Sequence, residues 1–416
     1  MRTRLSIDKV QMFLYFISIS VIGSILLSFP FCYTSGNPVP YIDALFTAVS
    51  AVCVTGLSTV DMAVYSVAGF IVIMVLIEFG GLGIISFIAL YIAVPHKKVS
   101  LVNRSVIRDF FVEDVETEPR KILKAIIIFT ILIELSCACV LYFGFRNQGS
   151  QRPVLDALFH SVSAFCNAGF STYSNSLADF KSNYLVLSTV MFLIVSGGIG
   201  FTVLTDISNT FLLKKKRLSY HSRLVLLVTA LLILSGFGVF FILEYNGSYS
   251  HLSLCEKIFA ALFQSITPRT AGFEVMAERA LTPLSKLITV LMMFIGGSPG
   301  SIAGGVKTTT FIIVVLYAIR GNTERTGFNL YRRNIETPVI EKAFSIVAKS
   351  LMLVFISIAL LLLTEKSSIM KGSILFFDLV FEVVSAFGTV GLSQGITGSL
   401  QTTSKVVIIL TMFLGR

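Results

Sequence analysis

Four glycines carry the clearest chemical signal in this sequence, and each ends one copy of a repeated stretch. The first copy runs from Asp43 through Phe46 and Ser50 to Val54-Thr55-Gly56-Leu57. The second runs from Asp156 through Phe159 and Ser163 to Asn167-Ala168-Gly169-Phe170. The third runs from Ala260 through Phe263 and Thr267 to Thr270-Ala271-Gly272-Phe273, and the fourth from Asp378 through Phe381 and Ser385 to Thr389-Val390-Gly391-Leu392. Phe and glycine are ten positions apart in copies one, two and four, and nine apart in copy three. Repeats at fixed spacing bear on the whole architecture. Irregular backbone at membrane depth survives only where protein or a water-filled cavity satisfies its polar groups. Four such loops can meet on one axis, and rings of carbonyl oxygens would then replace a cation's hydration shell. One glycine of this kind is as readily a turn or a helix C-cap. Four in register are not.

The elements that position these glycines follow from length. Each copy is about three helical turns, whereas a span needs roughly 20 apolar residues. Longer apolar segments flank each copy: Val10–Phe29, Val67–Val94, Ile122–Phe143, Tyr184–Leu213, Leu224–Leu243, Leu284–Ile319 and Ile346–Thr364. The unit is therefore helix, half-helix, glycine loop, return helix. The expected fold is an all-α polytopic membrane protein of four tandem helix–pore-loop–helix units, pseudo-fourfold around one central pore. The units are expected at 1–98, 99–217 with an inner linker, 218–322 with a broken second helix, and 323–416. The break is Gly296-Gly297-Ser298-Pro299-Gly300-Ser301-Ile-Ala-Gly304-Gly305. Lys405–Arg416 begins the last return helix, and the span length predicts that this helix continues past Arg416.

Composition agrees with a membrane protein: 55% of residues are hydrophobic and the mean hydropathy is +0.85. The basic N-terminus, Met1 to Lys9, resembles the front of a signal peptide. The apolar run behind it is too long, and no small-residue cleavage site follows, so a retained helix is expected. The net charge of +10 raises the question of nucleic acid, and its distribution argues against it. Of the 33 Lys and Arg, 20 fall on one side of the proposed spans and 10 on the other. That bias places the N-terminus in the cytoplasm of a plasma-membrane protein. The tightest cluster, Lys214-Lys-Lys-Arg217, reads as a topology signal or a contact with anionic lipid. The six cysteines are scattered and suggest apolar packing.

The four loops, the Gly-Gly pairs that follow (Gly80-Gly81, Gly197-Gly198, Gly296-Gly297) and the stretch from Gly296 to Lys307-Thr308 resemble the Trk/Ktr/HKT superfamily of potassium transporters. The likeness covers essentially the whole chain. Larger Trk members carry extra N-terminal helices, so the chain is most similar to the Ktr membrane subunit. The resemblance implies a selectivity filter at Thr55-Gly56, Ala168-Gly169, Ala271-Gly272 and Val390-Gly391, with Val54, Asn167, Thr270 and Thr389 just before. It implies potassium as the ion held there, with no other metal and no cofactor. Gly56, where some plant relatives have Ser and prefer sodium, favours potassium; sodium coupling or sodium preference is the alternative. The resemblance further implies a homodimer in lipid on a cytoplasmic nucleotide-binding regulatory subunit.

Register also suggests a gate. Gly56 to Gly81, Gly272 to Gly297 and Gly391 to Arg416 each span 25 positions, and Gly169 to Gly198 spans 29. Arg416 thus stands where the other return helices have glycine. A buried charge must find acceptors, and the broken stretch offers carbonyls with the Ser298 and Ser301 hydroxyls. The family has an Arg beside a flexible gating loop, so Gly296–Gly305, Lys307 and Arg416 form the expected gate. Two motifs compete with this. Gly296–Gly300 fits the G-x-S-x-G nucleophile elbow, which makes an intramembrane serine hydrolase the remote alternative, but that motif needs a preceding strand and a His base. Gly300–Thr308 nearly fits a phosphate-binding loop, but Val306 intrudes. No enzyme is expected.

Overall fold

The computed structural model describes residues 7–83, 119–212, 218–320, 328–330, 333–335 and 337–416. The end of the Val67–Val94 span, most of the 99–121 linker and the Lys214 to Arg217 cluster lie outside the described residues. The described residues form helices, apart from loops and one antiparallel ribbon, β1 (Phe328–Leu330) with β2 (Arg333–Ile335).

The first unit is α1 (Ile7–Leu27), the short α2 (Tyr41–Val52) and α3 (Val67–Gly81). The second is α4 (Pro119–Asn147), α5 (Pro153–Phe165), α6 (Tyr184–Ile199) and α7 (Phe201–Leu212). The third is α8 (Tyr220–Glu244), α9 (Leu254–Ile266), α10 (Pro283–Phe294) and α11 (Thr308–Arg320). The fourth is α12 (Thr337–Thr364), the single turn α13 (Lys366–Met370), α14 (Phe376–Gly388) and α15 (Thr402–Gly415). In α4, α8 and α12 the described helix is long and apolar enough to cross a bilayer. Their outer faces carry Leu132, Ile242 and Leu363, all more than half exposed, as a lipid-facing helix requires.

The short helices α2, α5, α9 and α14 end at the four glycine loops, and their starts are set locally. Pro153 opens α5, where its missing N–H costs nothing. Ser253 and Glu256 form a capping box on α9. Asp378 accepts the Leu375 N–H at 3.1 Å. Asp43 and Asp156 stand at the same place but do other work. Asp156 accepts the hydroxyls of Ser150, Thr172 and Tyr173, and Asp43 pairs with Lys405.

Packing between units is cyclic. The pore helix α5 packs on α3, α9 on α6, α14 on α10, and α2 on α15, which closes the ring. Two carboxylates fix return helices to their own units: Glu244 takes the Thr282 N–H at 2.9 Å, and Glu365 takes the Gln401 N–H at 2.7 Å. The expected single helix Tyr184–Leu213 is instead two, bent by 101°. The hinge is Gly200, at φ +91°, where an added Cβ would lie 2.9 Å from the Pro299 carbonyl oxygen. The second return helix therefore bends where the broken stretch of the third lies against it, a contact between units that periodicity within one helix does not encode.

The seam between units one and four yields a test. Lys405 Nζ lies 2.5 Å from Asp43 Oδ1, with both side chains about nine-tenths covered. Removing one partner of a buried pair costs about 3–5 kcal/mol. Lys405→Met is expected to lower the melting temperature in detergent. Added to Asp43→Asn it should cost much less than the sum of the two single losses. Additive losses would show that the pair does not close the ring.

Candidate functional site

Each loop turns where its pore helix stops. Val54, Asn167, Thr270 and Thr389 adopt left-handed backbone with φ of 56°, 56°, 68° and 49°. The next N–H reaches back to the helix: Thr55 to the Ser50 carbonyl (2.8 Å), Ala168 to Ser163 (2.7 Å), Ala271 to Thr267 (3.0 Å) and Val390 to Ser385 (2.9 Å). A trans peptide sets each carbonyl opposite the N–H that follows it. The carbonyls of Val54, Asn167, Thr270 and Thr389 therefore face away from their helices. Ser50 and Ser385 hydroxyls also take the Gly56 and Gly391 N–H groups at 3.1 Å, which turns the Thr55 and Val390 carbonyls the same way.

The four glycines then meet. A Cβ placed on Gly56 would lie 3.0 Å from Gly169 Cα; on Gly169, 3.0 Å from Gly272 Cα; on Gly272, 3.1 Å from Gly391 Cα; on Gly391, 3.1 Å from Gly56 Cα. The ring closes, and at each step the same Cβ would strike the carbonyl oxygen just before the next glycine: Ala168, Ala271, Val390 and Thr55 in turn. All four have positive φ, between 70° and 97°, which glycine tolerates without strain. Of the twelve residues expected at the filter, the four glycines and the residue just before each make up this ring. Thr55 Oγ1 and Thr389 Oγ1 are buried without a hydrogen-bond partner, and Asn167 Nδ2 lies 3.4 Å from Thr270 Oγ1. The site is rich in oxygen, as a hard cation requires.

On the other side of the ring lies the broken stretch. Its ends join where Gly296 N–H meets the Val306 carbonyl at 2.9 Å and Ile295 bridges Val306. Ser298 N–H reaches the Gly198 carbonyl at 3.0 Å, and Gly305 N–H the Gly415 carbonyl at 3.3 Å. Gly304 abuts the Thr389 side chain, so the stretch touches the loop of copy four. Arg416 donates from Nη2 to the Gly80 carbonyl at 2.8 Å and from Nη1 to the Ile302 carbonyl. Lys307 Nζ donates to the Ala303 carbonyl. The Arg416 acceptors are thus backbone carbonyls. The Ser298 and Ser301 hydroxyls are used within the stretch, toward Thr308 and the Ser298 carbonyl. Pro299 and Gly300 meet Gly200 and Phe201.

Other ionisable side chains in or beside the spans have neighbours of their own. Glu78, Glu134 and Cys166 bring their side-chain ends within 4.8 Å of one another, with Cys166 Sγ 4.0 Å from Glu134 Oε1. Asp206 Oδ2 takes the Ser219 N–H at 2.7 Å. His160 is committed to the Asp156 carbonyl and Ser171 and does not serve Ser298. Sequence reasoning missed the Gly200 bend and the partners of the residue after each repeated Phe. That second signal was available, since Thr47, His160, Gln264 and Glu382 are polar at one shared position of the repeat.

A family model described as TrkH, a cation transport protein, matches residues 2–416. The chain is 38% identical over 409 residues to Ktr system potassium uptake protein B of Bacillus subtilis, covering 97% of this chain and 88% of that protein. It is 37% identical to the potassium/sodium uptake protein NtpJ of Enterococcus hirae, covering 100% of this chain and 92% of that one. Among solved structures, the potassium transporter TrkH of Vibrio parahaemolyticus is similar with a TM-score of 0.75 at 20% identity, covering 100% of this chain and 83% of the other.

Glu278, in the loop outside the spans, supplies a pH test. Burial first, and then the charge of Glu274 beside it, push its carboxyl above the ordinary carboxylate value. The folded state then holds a proton that the unfolded chain has released. The stability this gives is full below the unfolded value and lost as pH rises through the folded one. The melting temperature should fall between about pH 5 and about pH 9, and Glu278→Gln should flatten that fall. An unchanged slope in the variant would exclude Glu278 as its source.

Proposed function

This chain belongs to the TrkH family of cation transport proteins, and on that premise we propose that it takes up potassium through the glycine ring, with the broken stretch and Arg416 as its gate. Its matched relatives are ion transporters and not enzymes. The observation that carries the filter reading is the closed ring of Gly56, Gly169, Gly272 and Gly391, each against the carbonyl oxygen of the next copy. Carbonyl oxygens there replace the water shell of a potassium ion. The bulk division into units at 1–98, 99–217, 218–322 and 323–416 follows the same four repeats.

The gate reading rests on position and bonding. Arg416 bridges the Ile302 carbonyl in the broken stretch to the Gly80 carbonyl on α3. That guanidinium joins three units beneath the ring, and its release frees the stretch to move. A homodimer in the cell membrane, N-terminus inside, on a cytoplasmic nucleotide-binding subunit is part of the same proposal; the Ktr likeness and the charge bias support it. Such a subunit would open the path by drawing apart the halves of the broken helix. The sodium alternative has one support, the potassium/sodium uptake protein at 37% identity.

Potassium flux in liposomes, with and without a sodium gradient, separates the two ions. Flux that requires sodium would replace the simple pore by a coupled carrier. Gly→Ser at any ring position should cut the preference for potassium over sodium by about tenfold, the equivalent of about 1.4 kcal/mol. Unchanged selectivity in all four variants would remove the ring assignment. Arg416→Ala, or shortening the stretch within 298–304, should raise basal flux on the order of tenfold, because hydrogen bonds to charged groups are worth about 1.5–3 kcal/mol each. If both variants insert normally and conduct no faster, the gate lies elsewhere.

A further inference from the structure

The residue one position after each repeated Phe differs in every copy: Thr47, His160, Gln264 and Glu382. All four are buried polar side chains of the pore helices, a costly choice unless each finds a partner. Each partner lies on the chain that leaves the filter outward. Tyr65 donates to Thr47 Oγ1 at 3.1 Å. His160 Nδ1 lies 2.7 Å from the Asp156 carbonyl, which only accepts, so Nε2 is left to take the Ser171 hydroxyl at 2.9 Å. Gln264 Nε2 donates to Glu278 Oε1 at 2.7 Å. Glu382 accepts Ser393 at 2.9 Å and also Thr397.

In copies two, three and four the partners follow a register, whereas Tyr65 stands nine positions after Gly56. Ser171 and Ser393 both stand two positions after their ring glycine, and Glu278 and Thr397 both stand six after theirs. Four unlike side chains thus make one kind of contact from one place. The filter carbonyls lie between the two ends of that contact: the pore helix holds one end of the loop, and the pin holds its outward strand. The identity of the pin is free to vary because only the tether is needed.

We infer that Thr47, His160, Gln264 and Glu382 are positioning residues that hold the filter loops at the spacing potassium requires, each by tethering its own outward strand to its own pore helix. This rests on the filter reading above. The contacts are side chain to side chain, so they yield where the backbone ring does not. Losing one should loosen the cage and admit the smaller ion while leaving passage open.

The test removes the contact from the loop side, where folding is least at risk. Ser171→Ala and the pair Ser393→Ala with Thr397→Val are compared with Glu382→Gln and His160→Gln, which keep a polar group in reach. Potassium and sodium fluxes are measured in liposomes, with Gly391→Ser alongside. The loop-side variants are expected to raise the half-saturating potassium concentration and cut potassium preference by about tenfold, with maximal flux within about twofold of the parent. Glu382→Gln and His160→Gln should keep parental values. If the loop-side variants keep parental selectivity and half-saturation while Gly391→Ser loses them, the tethers do not position the filter and the inference falls alone. A drop in maximal flux with selectivity unchanged, not restored by the polar variants, makes the contacts merely structural and also overturns it. If Gly391→Ser is itself unchanged, the filter reading fails, and the inference with it.

Discussion

Backbone against backbone, without an intervening side chain, is the contact on which this structure depends. Four loop glycines touch in a ring. For their helices to converge that closely, the surrounding helices must also give way. Gly80 meets the Val52 carbonyl, Gly197 that of Phe165 and Gly415 that of Phe387, each near the last residue of a pore helix. Rotamer changes cannot relieve a clash between two main chains, so these positions accept no Cβ without a shift of whole helices. The apolar core, with the repeated Phe46, Phe159, Phe263 and Phe381 fully covered, supports this approach but does not define it.

The third unit departs from the pattern twice, and the departures meet. Its loop is one residue short, and Pro268 follows the end of α9. Its return helix also breaks, between Phe294 and Thr308. Where the other units set a return-helix glycine against a pore-helix carbonyl, Gly296 here meets the Gly304 carbonyl of the broken stretch itself. Opening a helix at membrane depth frees backbone groups that lipid cannot satisfy. Gly198, Gly415 and Arg416 supply partners from units two and four. The same stretch meets the second unit at its Gly200 bend. One local irregularity is thus held by its neighbours.

Charge within the spans follows the same economy of partners. Lys405 finds Asp43 across the seam, Lys307 and Arg416 find carbonyls, and Glu244 and Glu365 cap the starts of return helices. All but Lys307, which stays within the broken stretch, tie an element to a neighbour that its own helix does not contain. An ionisable group at such depth is retained only where it is engaged in this way.

Much of the fold was legible before any coordinate. The repeated Phe and glycine, the apolar flanks and the break at Gly296–Gly305 are properties of neighbouring residues, and hydropathy and spacing report them directly. The register that put Arg416 level with Gly81, Gly198 and Gly297 was also countable, because a helix repeats at a fixed rise. The order and closure of the ring, the turn at Gly200, the partners of Thr47, His160, Gln264 and Glu382, and the choice of the Ile302 and Gly80 carbonyls by Arg416 were not. Asp43 and Lys405 lie 362 positions apart, and nothing local in either helix names the other. Those pairings exist only once the glycines have let the main chains touch, which sets the tilt and depth of every helix. Sequence alone determined the four repeats, their apolar flanks and the break at Gly296–Gly305; tertiary packing decided the turn at Gly200 and which atoms the segments meet.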